Sequence, residues 1–303
     1  MGATHDAKRL LATMRPAAWL ALLAIPLAAF VVTSPVRHAR AAFPGRNGKI
    51  AYSRIGAETI NVINPDGSHR RQLTHGPDAG DFDPAFSANG RRIAFAHTRR
   101  HGGSDIEVMK ANGRDQRRLT SGHYDGDPAF APGGRRIAFT RTGNDLKSNI
   151  YIVSADGHHH RRLTRTPGSA NPAFSPNGNR IVFERFSILG SLADVWVMRA
   201  DGSHRRRLTH TDHSTDPAYS PSGHRIAFRM GNDIAVMRAD GSHQRRLTHD
   251  HNDSNPAFSP NGKRICFDRG DHPQIWIMDA DGSHKHRVTK GVDSILPDWG
   301  VRR

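Results

Sequence analysis

The sequence predicts an all-β fold assembled from antiparallel repeats, and three observations lead there. A period near 44 residues runs through everything after Phe43, turn-forming dipeptides recur twice in each period, and no useful length of chain has the apolar spacing of a helix. Proline marks the period: Pro84, Pro128, Pro172, Pro217, Pro256 and Pro297 stand 44, 44, 45, 39 and 41 residues apart.

Each period reads as four strands. The first carries Pro84-Ala85-Phe86-Ser87 and its copies at Pro128, Pro172, Pro217 and Pro256. A turn such as Asn89-Gly90 or Asn177-Gly178 follows, where glycine supplies the positive backbone angle of a tight hairpin. The second strand is Arg92-Ile93-Ala94-Phe95 and its copies. The third concentrates β-branched and aromatic residues, as in Val195-Trp196-Val197-Met198 and Ile275-Trp276-Ile277-Met278. An Asp-Gly or Asn-Gly turn then leads to a short basic fourth strand that ends in Leu-Thr.

Four antiparallel strands per period make a propeller blade. The first copy opens at its second strand, Lys49-Ile50-Ala51-Tyr52, and the last stops after a first strand, Pro297-Asp298-Trp299-Gly300. Pairing the last strand with the first copy closes a ring of six blades and leaves no exposed edge. Trp299 then fills the slot held elsewhere by Phe86, Phe130, Phe174, Tyr219 and Phe258.

Residues 1–42 precede the repeats. Lys8, Arg9 and Arg15 lead into an apolar run from Pro16 to Val32, and Ala39-Arg40-Ala41 has the spacing a signal peptidase accepts. The segment is expected to be an export signal or a retained membrane anchor, and the propeller to occupy residues 43–303. The chain carries a formal charge of +16, and residues 43–303 keep +12 of it. That charge favours acidic proteins, anionic wall polymers or anionic lipids. The single cysteine, Cys266, excludes an internal disulfide framework and a cysteine-rich zinc site.

Strings such as Phe174-Ser175-Pro176-Asn177-Gly178-Asn179-Arg180-Ile181-Val182-Phe183, followed by Ala200-Asp201-Gly202 and Leu208-Thr209, resemble the WD-like repeat of TolB-type β-propellers. The resemblance covers residues 43–303. It implies a propeller without the amino-terminal α/β domain of TolB, and without the hydrolase domain that follows some related propellers.

Four features are candidates for function. Asp83, Asp127, Asn171, Asp216 and Asn255 precede the marker prolines and are expected to ring one mouth of the central channel, with Leu296 breaking the pattern. They either receive a partner's basic segment or a cation, or bond neighbouring backbone amides. The loop Phe186–Leu192 is unusually apolar, so Phe186, Ile188 and Leu189 either contact a protein partner or pack back over the blade. Arg71, Arg118, Arg162, Arg206, Arg246 and Arg287 encircle the rim, as an anion-binding surface or as guards on the outer edges. Histidines at 123, 210, 213, 249 and 251 lie beside aspartates in the loops between blades, chemistry that suits a transition metal if the loops converge.

No Gly-x-Ser-x-Gly elbow, phosphate loop or His-Glu-x-x-His motif is present, and Cys266 falls inside a strand, so no catalytic residue, cofactor or metal ligand is assigned. The reading is an exported, monomeric, non-enzymatic module that binds an envelope or extracellular protein, or an anionic wall polymer or polysaccharide. Arginine clusters without interleaved aromatics exclude single-stranded nucleic acid. The alternative is a metal-assisted lyase or hydrolase acting on an acidic polysaccharide at the propeller mouth.

Overall fold

A computed structural model describes residues 42–75, 80–187, 192–249 and 252–302. Among them are 24 strands and no helix. The chain runs through β1 (Asn47–Arg54), β2 (Thr59–Ile63), β3 (Arg71–Gln72), β4 (Asp81–Phe86), β5 (Arg92–Thr98), β6 (Ser104–Lys110), β7 (Arg117–Arg118), β8 (Tyr124–Phe130), β9 (Arg136–Thr142), β10 (Ser148–Ser154), β11 (Arg161–Arg162) and β12 (Ser169–Phe174). It continues through β13 (Arg180–Phe186), β14 (Ala193–Arg199), β15 (Arg206–Arg207), β16 (Ser214–Tyr219), β17 (Arg225–Met230), β18 (Asp233–Arg238), β19 (Arg245–Arg246), β20 (Asp253–Phe258), β21 (Arg264–Arg269), β22 (Gln274–Asp279), β23 (His286–Arg287) and β24 (Ser294–Val301).

Three sheets are consecutive four-stranded meanders, β12–β15, β16–β19 and β20–β23. Strands β4–β11 form one eight-stranded sheet, in which two antiparallel runs of four are joined by a single parallel pair, Ser104 with Tyr124. The remaining sheet has the order β24-β1-β2-β3, so the last strand supplies the inner strand of the first sheet. The expected pairing of the chain's two ends is present.

Buried apolar residues gather at the seams between adjacent runs of strands. One cluster joins Ile50 and Tyr52 of β1 to Cys266 of β21, Ile275 of β22 and Trp299 of β24, so the seam where the ends meet is packed like the others. At each seam the turn before the outer strand also approaches its neighbour closely. Gly202 has φ 89°, and a Cβ there would lie 2.7 Å from the Leu163 carbonyl oxygen, so both conformation and space require glycine.

The Leu-Thr signature has a definite role. The fourth strands have only two residues, too few to satisfy the start of the third strand by backbone pairing. A threonine hydroxyl takes over: Thr74, Thr120, Thr164, Thr209, Thr248 and Thr289 each accept the N–H of Ile60, Ile106, Ile150, Val195, Ile234 and Ile275 at 2.8–3.0 Å.

Ahead of β1 the chain is already buried. The Ala42 N–H donates to the Tyr219 carbonyl at 3.4 Å and the Gly45 N–H to that of Pro260 at 3.2 Å. Ala42 packs with Ala227, Phe258 and Ile265, whereas Phe43 packs with Ala94, Phe130 and Ile137. Adjacent Cα atoms are only about 3.8 Å apart, so one step of chain can join these two separate seams only where the seams converge, at the axis. Ala42 and Phe43 therefore lie across the end of the channel where the inner strands finish.

Candidate functional site

Each inner strand enters the ring at one mouth, and all but β24 leave at an Asn-Gly, Gly-Gly or Ser-Gly turn on the other face. The five sequence-predicted ring residues stand three or four positions inside their strands, slightly below the mouth. The register breaks at every one: between Phe82 and Ala85, Gly126 and Ala129, Ala170 and Ala173, Thr215 and Ala218, and Ser254 and Ala257. These are bulges, and the residue before proline adopts positive φ in each: 63° at Asp83, 53° at Asp127, 53° at Asn171, 55° at Asp216 and 54° at Asn255. Asp and Asn tolerate this left-handed conformation better than other side chains, which explains their repetition.

Backbone amides at these positions donate to carboxylates of the preceding repeat. The Asp127 N–H donates to Asp83 Oδ2 at 3.2 Å, and the Asn171 N–H to Asp127 Oδ2 at 3.4 Å and to Thr140 Oγ1 at 3.1 Å. The Asp216 N–H donates to Glu184 Oε2 at 3.1 Å and the Leu296 N–H to Asp268 Oδ1 at 3.3 Å. Bonding of backbone amides, one of the two sequence readings, is thus observed. One group is left over: the Asn171 side chain is fully buried, and neither its Nδ2 nor its Oδ1 has a hydrogen-bond partner among the described residues.

Glu184, Arg229 and Asp268 were missed by the sequence reading. They occupy one repeat position, directly after the second-strand aromatic, which holds Ser53, Ala96, Thr140, Glu184, Arg229 and Asp268 in turn. Variation at a single position in an otherwise uniform repeat is the signal that could have found them. The wall beside the mouth is therefore acidic, with Asp83, Asp127, Glu184, Asp216 and Asp268 against Arg229. Burial, the largest influence, pushes the Asp268 carboxyl up to about 6, and nearby Asp216 adds to the rise.

The apolar loop is only partly within view. Phe186 is the half-buried last residue of β13, while Ile188 and Leu189 lie outside the described residues. On the mouth face Phe186 borders a groove of about 920 Å³, together with Leu146, Pro167, Leu192 and Trp196. Leu146 is 83% exposed, and the Arg185 guanidinium covers the Trp196 ring at 4.8 Å.

The rim arginines are exposed, and four are engaged within the protein. Arg118 lies 3.7 Å from Asp105, Arg162 donates to the Thr164 carbonyl at 2.6 Å, and Arg206 donates to the Asp240 carbonyl at 3.0 Å. Arg246 pairs with Asp233. Arg71 and Arg287 are exposed at the same rim.

Among the described residues no three His, Cys, Asp or Glu side chains form a metal-holding group. Asp125 and Asp253, beside the loop histidines, each receive a bidentate arginine, Arg141 at 2.7 and 2.7 Å and Arg269 at 2.7 and 2.8 Å. His251 lies outside the described residues. Asp, Ser and His do meet in the outer turns: Ser203 Oγ donates to Asp201 at 2.7 Å and lies 2.9 Å from His204 Nδ1. The hydroxyl proton goes to the carboxylate, so the imidazole must donate to the hydroxyl. That order gives the serine no base and is the wrong way round for a nucleophile. Cys266 is fully buried in β21.

Antiparallel four-stranded sheets closed into a ring around a central axis define a β-propeller. The sequence matches the TolB beta propeller domain over residues 38–214 and again over 121–302, and the chain belongs to that family. TolB from Acinetobacter baumannii is similar in fold, with a TM-score of 0.74 and 21% identity over 84% of this chain and 67% of that one. A protein from Agrobacterium tumefaciens assigned as a TolB gives 0.67 and 22% over 82% and 91%. A chain of a nidogen/laminin complex gives 0.71 and 13% over 84% and 98%. No curated protein matches the sequence.

Proposed function

We propose that this chain is an exported, non-enzymatic interaction module of the cell envelope, a six-bladed propeller that receives a protein partner at its channel mouth. Counting the eight-stranded sheet as two blades joined by one residue pair supports six, as do six apolar clusters, one for each seam. Membership of the TolB propeller family supports a binding role over a catalytic one.

The observation that carries the reading is the set of carboxylates inside the mouth, Asp83, Asp127, Glu184, Asp216 and Asp268, contributed by five different repeats with Arg229 as the cation among them. Ala42 and Phe43 lie at the opposite end, where the inner strands finish. A concentration of negative charge at the mouth suits a basic segment of a partner, matched to it by charge. The adjoining groove at Phe186 offers apolar area, and the basic rim favours a partner whose surrounding surface is acidic.

The test is capture of envelope proteins by the purified protein, compared with a D83N/D127N variant, in which asparagine keeps the left-handed conformation and an accepting oxygen but removes the charge, and whose melting curve verifies folding. One protein that survives high salt on the wild type and is lost by the variant is the expected result. Equal retention by both, or only salt-labile capture of anionic polymer, would overturn the reading. Turnover of a uronate polymer that stops on chelation would transfer the function to the lyase class.

A further inference from the structure

The face opposite the mouth holds a cavity of about 890 Å³ beside the closing sheet. It opens where the first repeat lacks ties that the other repeats make. In five repeats an alanine after the third strand donates its N–H to the residue that leads into the second: Ala111 to Arg91, Ala155 to Arg135, Ala200 to Asn179, Ala239 to His224 and Ala280 to Lys263, at 2.8–3.0 Å. Pro65 occupies that position in the first repeat and has no N–H to give. The carbonyl left over, that of Gly48, accepts the Trp299 indole instead, at 3.2 Å.

A second tie is missing at the same place. At four seams an outer-strand arginine reaches the carbonyl of the neighbouring turn: Arg117 to Asp156, Arg161 to Asp201, Arg206 to Asp240 and Arg245 to Asp281, at 2.8–3.2 Å. His286 and Arg71 hold the corresponding positions on the two sides of the first repeat, and among the described residues neither makes this bond. Elsewhere a guanidinium also covers the inner-strand aromatic, Arg92 over Phe130 and Arg225 over Phe258. Lys49 replaces it in the first repeat, leaving Phe86 as an apolar floor with Val62 and Val301.

The rim of the cavity is basic. Lys49, Arg264 and Arg302 border it, with His286 beside them. Asp66 is the carboxylate on the rim, and its Oδ1 already accepts the Ser68 N–H at 2.9 Å. Arg264 shares its charge with Asp279, 3.6 Å away, which leaves Lys49 and Arg302 as the cations facing the opening. A volume of this size, an apolar floor and a cationic edge fit a drug-sized molecule with one charged end.

We propose that this cavity binds a small amphiphilic organic anion, its apolar body on Phe86 and its charged end toward Lys49 and Arg302. The site is on the far face from the mouth carboxylates, so its failure would leave the mouth reading untouched, and the reverse. The probe is anilinonaphthalene sulfonate, an aromatic anion that fluoresces when bound in apolar surroundings, with uncharged N-phenylnaphthylamine as the control. The folded wild-type protein should show one saturable site for the anion, weakened about tenfold in K49E/R302E. It should be lost in A111W, which fills the cavity from its wall, and unchanged in R135E, which reverses an exposed charge in another repeat. Melting curves verify that each variant is folded. Binding that ignores both cavity variants, equal affinity for the uncharged control, or no saturable site on the wild type would each overturn the proposal.

Discussion

A conformational demand met six times explains the polar residue before each marker proline. At these bulges the backbone is left-handed, and five of the six positions carry Asp or Asn. Leu296 meets the same demand, with φ 63°, and caps the Asp268 carboxylate with its N–H. The motif was legible as a repeated polar residue, but its cause was not, because a bulge depends on strand register and register is a property of two strands. The same holds for His69, His204, His243 and His284, whose φ values of 54°, 52°, 56° and 47° place them at left-handed turn positions. Asp268 yields a prediction at this scale. Burial raises its carboxyl to about 6, against an ordinary value of 3.8, so the folded protein holds this proton more tightly than the unfolded chain does. Its contribution to stability is complete below pH 3.8 and is lost as the pH climbs to 6. Relative to D268N, the wild type should therefore lose about 2 kcal/mol between pH 4 and pH 6.5. A stability difference that stays flat across that window, followed by urea melts, would refute the assignment.

Between residue and ring, the element that decides local stability is the short fourth strand. Its basic Arg-Arg and terminal Leu-Thr were readable in every repeat, and the sequence reading took the arginines for an exposed rim. The structure gives the same residues inward tasks as well. Arg161 reaches the Asp201 carbonyl across a seam at 3.1 Å, and the threonines complete the third strands. These tasks were hidden because they involve backbone groups of other elements, which carry no residue identity. The two contacts should differ in worth. Thr248→Val leaves the buried Ile234 N–H without its acceptor and should cost about 1–3 kcal/mol, whereas Arg161→Ala removes an exposed bond and should cost about 1 kcal/mol or less. Equilibrium urea unfolding of the two variants measures both, and the reverse order would show that the arginine ties, not the threonines, hold the fourth strand.

For the whole molecule, the closing strand is the point on which the ring depends. Its pairing was legible because the repeat begins one strand late and ends one strand later, a mismatch that only closure removes. The candidate site was legible in outline alone: a repeat that copies the same residues into each blade reveals architecture, while the wall position occupied by Glu184, Arg229 and Asp268 differs from blade to blade. Strand β24 binds both of its neighbours. Asp298 accepts the Phe86 N–H at 2.6 Å, and Leu296 bonds to Asp268 of the preceding sheet. Trp299 completes the apolar cluster that contains Ile50, Tyr52 and Ile275. Ending the chain after Gly291 removes all of these contacts and leaves β1 as an unpaired inner edge, with two seams open to water. The truncated protein should lose its cooperative thermal transition as a unit, since neither flanking sheet retains a complete core. A synthetic peptide of residues 292–303, supplied in trans, should restore the transition in proportion to its concentration. An unchanged melting temperature without the strand, or no response to the peptide by a truncated protein that stays soluble, would mean that the ring does not depend on this closure.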